Sequence, residues 1–500
     1  MDLLLVAVVL LSPNQVIPTD KPGKPAGMEG EPSCKSSGFL SVPGAFLSKS
    51  NSDNPDDQSS TGISSELSGS PRKPIEVTAS LLPEAKPVLA ENAPAPSASP
   101  AGDRWLLMKA LQGTCYGALL DDNRLYVNGW IGGSANASTS NQTNLMVTWN
   151  DVPNNFLLQQ GWVRFGRSVV TSGTTEPTFG FHLDLLGGSD YRATLPRGFF
   201  NSQLLSSRWD PVTNPGGFNV QNLYGFDLVQ QYVNAYVPNL FRGTEFRVGR
   251  VYTPWGVESV EMVSTPLISR SYAFDWCPPF THCGAAAYIT LDSEWSTVLM
   301  AANGNDVYWG DPSAEWRFVG NLKWVQSGGG KNTVTLATSV GRGKFDAGDV
   351  FNVPGWATID EAGGRTNMNV FDIVWTHAFH SRLSYAIESI YGYQTNVPAI
   401  YNAAGYGTAH WFSLCHFLFW NLDPKTTLIL RYENFDDLQG QRTGFEALYT
   451  SATSCLSYRV CKDMVLRSEL RYDIANTGTP FDNGAKNQVL VGSVDFTVRW

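Results

Sequence analysis

Charges that recur at every second position are the part of this sequence that could do chemistry. In "MVLRSELRYD" (464 to 473) they are Arg467, Glu469, Arg471 and Asp473, and in "TLILRYENF" they are Arg431 and Glu433. On an extended strand that spacing puts each set on one face, with Met464, Leu466, Leu470 and Tyr472, or Leu428, Leu430 and Tyr432, on the other. A row of guanidinium and carboxylate groups makes and breaks no bonds. It sets a field across an aqueous space and sorts solutes by charge, or it holds a wall in shape through internal salt bridges. The same alternation adds Arg382 and Glu388 from "RLSYAIES", and Asp495 and Arg499 from the terminal "LVGSVDFTVRW". Glu446, in the segment between the two clearest strands, extends the ladder.

Catalytic and metal chemistry find little support. The chain has six His; His377 and His380 fall together in "WTHAFHSR", and no Ser stands in a nucleophile setting, so an outer-wall hydrolase is the weakest reading. Seven Cys include two close pairs, Cys277 with Cys283 and Cys455 with Cys461, and neither has Cys-x-x-Cys spacing. They are either loop-clamping disulfides in an oxidising compartment or reduced thiols used as small apolar residues. We expect no metal and no cofactor. The acids of "FDDLQGQR" (435 to 442) would hold a divalent cation or simply be solvated. A net charge of -10 and a pI near 5.2 argue against a nucleic-acid partner.

The elements that must position these charges lie beyond residue 100. Residues 1 to 100 hold none of the 16 Trp, none of the 19 Tyr and 14 of the 29 Pro, so they cannot bury enough apolar surface to offset ordering entropy. We expect a signal-peptide core in "LLLVAVVLL" within 1 to 20, a disordered Pro/Ser-rich periplasmic segment over 21 to 115, and a folded unit over 120 to 500. No run of 18 apolar residues occurs, which excludes a helical span.

Beyond residue 125 the alternation repeats strand after strand. It fits a membrane barrel with a wet lumen or, inverted, a secreted soluble β-sandwich that binds glycans through its aromatics. Segments such as 316 to 325, 369 to 379, 411 to 420 and 487 to 500 are long enough for tilted strands to cross hydrocarbon. Tight links at 237 to 243, 292 to 294, 380 to 382 and 421 to 425 alternate with long ones at 188 to 225, 254 to 283, 343 to 367, 394 to 409 and 475 to 486. The expectation is therefore an all-β transmembrane antiparallel barrel of about 16 strands (range 14 to 18), with short periplasmic turns and long extracellular loops. Trp324, Trp375, Trp411, Trp420, Tyr472 and Trp500 would form its interfacial girdles. The longest loop, carrying Asp190, Arg192, Arg197, Arg208 and Asp210, is the expected constriction.

"FRVGRVYTPWGVESV" (246 to 260), "SRSYAFDWCPPFTHCGAAAYITL" (269 to 291), "LRYENFDDLQGQRTG" (430 to 444) and "LRSELRYDIANTGTPFDNG" (466 to 484) together resemble the OmpL-like barrels of the beta-barrel porin-2 family. The resemblance spans roughly residues 120 to 500. It implies an outer-membrane channel for passive diffusion of small hydrophilic solutes, with outer-membrane lipids around it and no catalytic residues. The charged positions that match its pattern are Arg247, Glu258, Arg431, Glu433, Asp436, Arg442, Arg471, Asp473 and Asp482, and Arg247 thereby joins the pore-lining candidates. Trp500, with Phe496 on the same face, resembles the terminal aromatic signal read by the barrel assembly machinery. Sixteen-stranded porins commonly trimerise, so a homo-oligomer is expected, although nothing in the sequence marks its face.

Overall fold

The computed structural model describes residues 104–147, 149–196, 223–309, 315–328, 330–342, 368–398 and 406–500. Period-two alternation becomes sixteen strands in one closed antiparallel barrel. They are β1 (Leu125–Ser138), β2 (Phe156–Arg167), β3 (Thr178–Gly188), β4 (Gly225–Val237), β5 (Thr244–Tyr252), β6 (Thr281–Thr290), β7 (Trp295–Asn303) and β8 (Trp316–Val325). The second half comprises β9 (Asn332–Gly341), β10 (Asn369–His380), β11 (Leu383–Pro398), β12 (Tyr406–Asn421), β13 (Thr426–Asp437), β14 (Ala447–Cys461), β15 (Met464–Ala475) and β16 (Gln488–Arg499). Each strand pairs with its sequence neighbours. β16 returns to β1 with Trp130 opposite Arg499 and Ser138 opposite Val491, so no edge leaves backbone N–H and C=O groups unpaired in lipid.

Which face is greasy decides between barrel and sandwich. Leu466 and Leu470 are 39% and 40% exposed, whereas Arg431 and Arg471 are 2% and 1% exposed. A sandwich with a dry core needs the reverse, so the soluble reading fails. The outward face continues as an apolar belt through Phe246, Val248, Leu299, Phe318, Phe371, Ile373, Leu456 and Val494. Trp375, Trp420 and Tyr472 lie on it, but Trp411 is fully buried inside, where it packs under the Arg442 guanidinium at 5.0 Å. Periodicity marks a face; only the strand's phase says which side that face meets.

The two rims differ as expected, except that the long link expected at 394 to 409 is mostly strand, because β11 runs on to Pro398 and β12 begins at Tyr406. At one, β4–β5, β6–β7, β10–β11, β12–β13 and β14–β15 are joined by tight turns. Two of these are held by an aspartate at the turn's start: Asp292 Oδ1 accepts from the backbone N–H of Glu294 and Trp295, and Asp423 Oδ1 from those of Lys425 and Thr426. At the other rim lie the long links 139–155, 189–224, 253–280, 342–368 and 476–487. Two of the expected lining charges sit at rims rather than in the wall. Arg382 occupies the exposed two-residue turn before β11, and Glu446 is exposed just before β14, whose inward positions are the odd-numbered ones.

Residues 104–115, expected within the disordered segment, are ordered, and the signal-peptide core and the rest of that segment, 1–103, lie outside the described residues. Helix α1 (Leu106–Leu111) and helix α2 (Cys115–Asp122) precede β1. Thr114 caps α2, its Oγ1 accepting from Gly117 N–H at 3.0 Å. Trp105 packs edge-on against Trp130 at 6.3 Å and lies under Arg499 at 5.4 Å. Trp105, the first Trp of the chain, ties this segment to the barrel wall.

The long-loop rim is stapled by Asp482 in the β15–β16 link. Its Oδ1 accepts from the backbone N–H of Asn141 at 3.0 Å and Gln142 at 2.7 Å, and Lys486 Nζ sits 3.0 Å from Oδ2. Burial alone would raise this carboxyl's pKa, but the backbone donors and Lys486 outweigh it and hold it below the usual Asp value. A depressed folded-state value contributes stability at neutral pH that is lost as pH falls through it. Asp482→Asn should therefore cost about 1–3 kcal/mol of loop stability at neutral pH. Hydrogen exchange at residues 141 to 143 should then become faster and lose its acid dependence; unchanged protection would show that the staple is not electrostatic.

Candidate functional site

The β5–β6 link turns into the barrel instead of standing outside it. Residues 253–280 cross the lumen, ending in helix α4 (Tyr272–Trp276), which Ser271 caps by accepting from Phe274 N–H at 3.0 Å. An infolded segment must satisfy its backbone polar groups away from water. The wall charges do that.

Glu433 accepts from the backbone N–H of Tyr272 at 2.8 Å and of Ala273, at the amino end of α4. Glu469 accepts from Ile268 N–H at 2.7 Å and Ser269 N–H at 3.1 Å. Arg467 donates to the carbonyls of Thr265 at 2.7 Å and Leu267 at 3.1 Å while pairing with Asp495 at 2.6 Å. Arg431 pairs with Glu258 of the infolded segment at 2.7 Å and donates to the Ser269 carbonyl at 2.9 Å. Arg471 holds Asp473 at 2.8 Å and donates to the Arg270 carbonyl. Arg499 donates to Val263 O at 3.0 Å, and Glu388 accepts from Val257 N–H at 3.4 Å. Charge-assisted bonds of this kind are roughly twice as strong as neutral ones, and each ion here keeps a partner in the dry interior.

The alternating charges of β11, β13, β15 and β16 thus converge on one object. Glu388, Arg431, Glu433, Arg467, Glu469, Arg471, Asp473, Asp495 and Arg499 all point inward, but as clamps on 253–280 rather than as a bare ladder. Arg247 faces inward on the opposite wall, paired with Glu245 at 2.8 Å and lying over the Tyr288 ring at 4.1 Å. Sequence reasoning missed the clamps' target. The signal was present: "GVESVEMVSTPLISRSYAFDWC" (256 to 277) carries Val257, Leu267, Tyr272, Ala273 and Trp276, an apolar content that an exposed loop would not carry, and all five enter a buried cluster with Val374, Ile390, Trp411 and Phe435.

The structure shows 253–280 crossing the lumen, and residues 197–222 of the expected constriction at 188 to 225 lie outside the described residues. Asp190 and Arg192 do lie within the barrel, Arg192 in a short helix, α3 (Tyr191–Thr194), and Asp190 just before it. Arg192 pairs with Asp151 of the β1–β2 link at 2.6 Å, and Asp190 accepts from Gln160 at 2.9 Å. Burial pushes the Asp190 carboxyl up to about 6 against the pull of Arg270, Gln160 and Arg192. Arg197, Arg208 and Asp210 fall outside the described residues. The β1–β2 link joins the infolded segment through Trp149 Nε1, which donates to Asp275 at 2.8 Å.

Among the described residues there is no disulfide. Cys277, Cys283, Cys455 and Cys461 are free thiols. Cys455 and Cys461 share strand β14, six residues and therefore roughly 20 Å apart, beyond any disulfide. Cys277 packs in the apolar cluster beside α4 while Cys283 begins the wall strand β6. In "FDDLQGQR", Asp437 accepts from the N–H groups of Arg442 and Thr443, so that acid shapes its turn. His377 meets Asn332 at 2.7 Å, not a serine.

A cavity of about 210 Å3 lies against β2–β6, lined by Arg164, His182, Tyr232, Arg247, Trp255 and Glu388 among others. A closed barrel, an apolar exterior, inward charges and an infolded segment define a porin-type barrel of the outer membrane. The chain belongs to the family described as "Putative beta-barrel porin-2, OmpL-like", whose profile matches residues 124–499. No curated protein sequence matches the chain.

Among solved structures it is similar to the anion-selective porin of Comamonas acidovorans (9% identity, TM-score 0.48, covering 75% of this chain and 99% of that one). It is also similar to the outer membrane channel DcaP of Acinetobacter baumannii (8% identity, TM-score 0.49, 75% and 97%). OmpF of Salmonella typhi, solved in complex with daunomycin, gives 12% identity and a TM-score of 0.48 over 76% of this chain and 99% of that one.

Proposed function

We propose that this barrel is a passive diffusion channel for small hydrophilic solutes, with its path running between the infolded segment and the β2–β6 wall. The observation that carries this reading is the division of the lumen. On the β10–β16 side 253–280 is clamped against the wall, while the cavity that Arg164, Arg247 and Glu261 help to line lies on the other side. Solutes would be sorted by width and by the paired charges Arg164 with Glu261 and Arg247 with Glu245.

In this reading the tight turns and the segment before β1 face the periplasm, and the long links face outward. Phe496 and Trp500, on the outer face of β16, would be read by the barrel assembly machinery, and a homo-oligomer would bury part of the apolar belt. Reconstitution into planar bilayers should give discrete conductance steps in potassium chloride. Correctly folded barrels that never conduct would overturn the proposal.

A further inference from the structure

One buried acid stands apart from the paired charges. Asp372 on β10 is 1% exposed, and neither carboxylate oxygen receives a hydrogen bond. It meets Glu388 of β11, a diagonal neighbour on the ladder where Asp372 pairs with Ile390 and Val374 with Glu388. The charged groups acting most on these two are each other, Glu258 of the infolded segment and Glu433 of β13, all acids. The thiols of Cys277 and Cys415 complete the surroundings. Cations of the neighbourhood are committed: Arg431 holds Glu258 at 2.7 Å, and Arg442 donates to the Trp276 carbonyl at 2.8 Å. Two neighbouring buried carboxylates with no counter-ion cannot both stay charged without a proton or a cation between them.

Glu388 also opens onto the 210 Å3 cavity, which Tyr252, Trp255, Phe274 and Tyr288 line as well. Gly256 permits that access, since a Cβ there would stand 3.4 Å from Glu388 Oε1. The cavity's arginines do not supply the missing counter-charge. Arg164 is held by Asp184 at 2.7 Å and Glu261 at 2.5 Å, and Arg247 by Glu245 at 2.8 Å.

We propose that Asp372 and Glu388 form a subsite for a small organic cation of the guanidinium or ammonium type, entered from this cavity, with one shared proton holding the pair when the cation is absent. Glu388 takes the cation through its open oxygen, and the aromatic rings stack over it. Binding releases the shared proton to solvent, so affinity rises with pH. The subsite depends on the channel reading only for the route by which the solute arrives.

Guanidinium chloride is the probe, at concentrations far below those that denature. Titration calorimetry on the detergent-folded barrel reads binding without conduction; the potassium current across a planar bilayer reads block. In the native protein guanidinium should bind, and should reduce the current more strongly as pH rises. Glu388→Gln should weaken binding about tenfold or more. Asp372→Asn, which removes the proton-sharing partner but keeps Glu388, should retain binding and flatten its pH dependence. Equal binding by Glu388→Gln would overturn the subsite, and an unchanged pH profile in Asp372→Asn would overturn the shared proton. A barrel that binds guanidinium but never conducts would leave the subsite standing and sink the channel. One that conducts but neither binds guanidinium nor is blocked by it would do the opposite.

Discussion

Replacing Glu433 and Glu469 together by alanine should widen the channel. The two carboxylates receive the backbone N–H groups of Ile268, Ser269, Tyr272 and Ala273, so one double variant strands four buried donors in the middle of the infolded segment. Each buried N–H left without a partner costs about 1–3 kcal/mol. The neighbouring arginines cannot compensate: Arg431, Arg467 and Arg471 still donate to carbonyls of the segment, but a guanidinium has no acceptor to offer the stranded N–H groups. The barrel itself should survive, because its ladders do not pass through these side chains.

The expected result is a several-fold rise in single-channel conductance with noisier open states as 264–276 leaves its seat. A conservative pair, Glu433→Gln with Glu469→Gln, keeps one of the two acceptor oxygens on each side chain and should sit between the two. If the folded alanine variant conducts like the native protein, 253–280 does not narrow the lumen. The exposed Glu446, replaced by alanine, is the control and should change nothing.

Gly129→Val should prevent closure. The backbones of Gly129 and Trp500 exchange hydrogen bonds at 2.8 and 3.1 Å where β16 meets β1. A Cβ at 129 would stand 1.9 Å from the Trp162 carbonyl oxygen and 2.4 Å from the Trp500 ring. Neither is an accessible separation, and the carbonyl belongs to the β2 backbone, which cannot move without breaking its own ladder. An open barrel leaves two strand edges facing lipid, each unsatisfied group costing several kcal/mol. The variant should fail to fold, seen as loss of the heat-modifiable band on electrophoresis and loss of protease resistance. Gly173→Val, where a Cβ meets nothing within 4 Å but the φ of +68° is strained, should cost far less and leave the barrel intact.

Much of the fold was legible because strand periodicity is a local property. The faces of β13, β15 and β16, the tight turns opened by Asp292 and Asp423, and the alternation of short and long links all follow from residues a few positions apart. The same locality misled at element ends and at phases. Arg382 and Glu446 continue an alternating pattern past the point where the strand does, and Trp411 carries an interfacial residue type on an inward phase.

The site was legible in its residue types but not in its assembly. Nothing near Glu433 in the sequence announces Tyr272, 161 positions away, nor does Arg467 announce Thr265, 202 away. Asp372 and Glu388 each look like an ordinary lining acid until the β10–β11 register brings them together without a counter-ion.

By itself, then, the sequence determined that this chain makes amphipathic strands enough for a wide barrel, apolar on one face and charged on the other, with family-specific phrases along them. It did so because side-chain direction on a strand depends only on the parity of position. Tertiary structure alone decided that the charges are clamps, that 253–280 folds into the lumen, and that an acid pair without a counter-ion lies beside a cavity there. Those outcomes depend on which wall a loop meets after closure, and on whether every buried polar group there finds a partner.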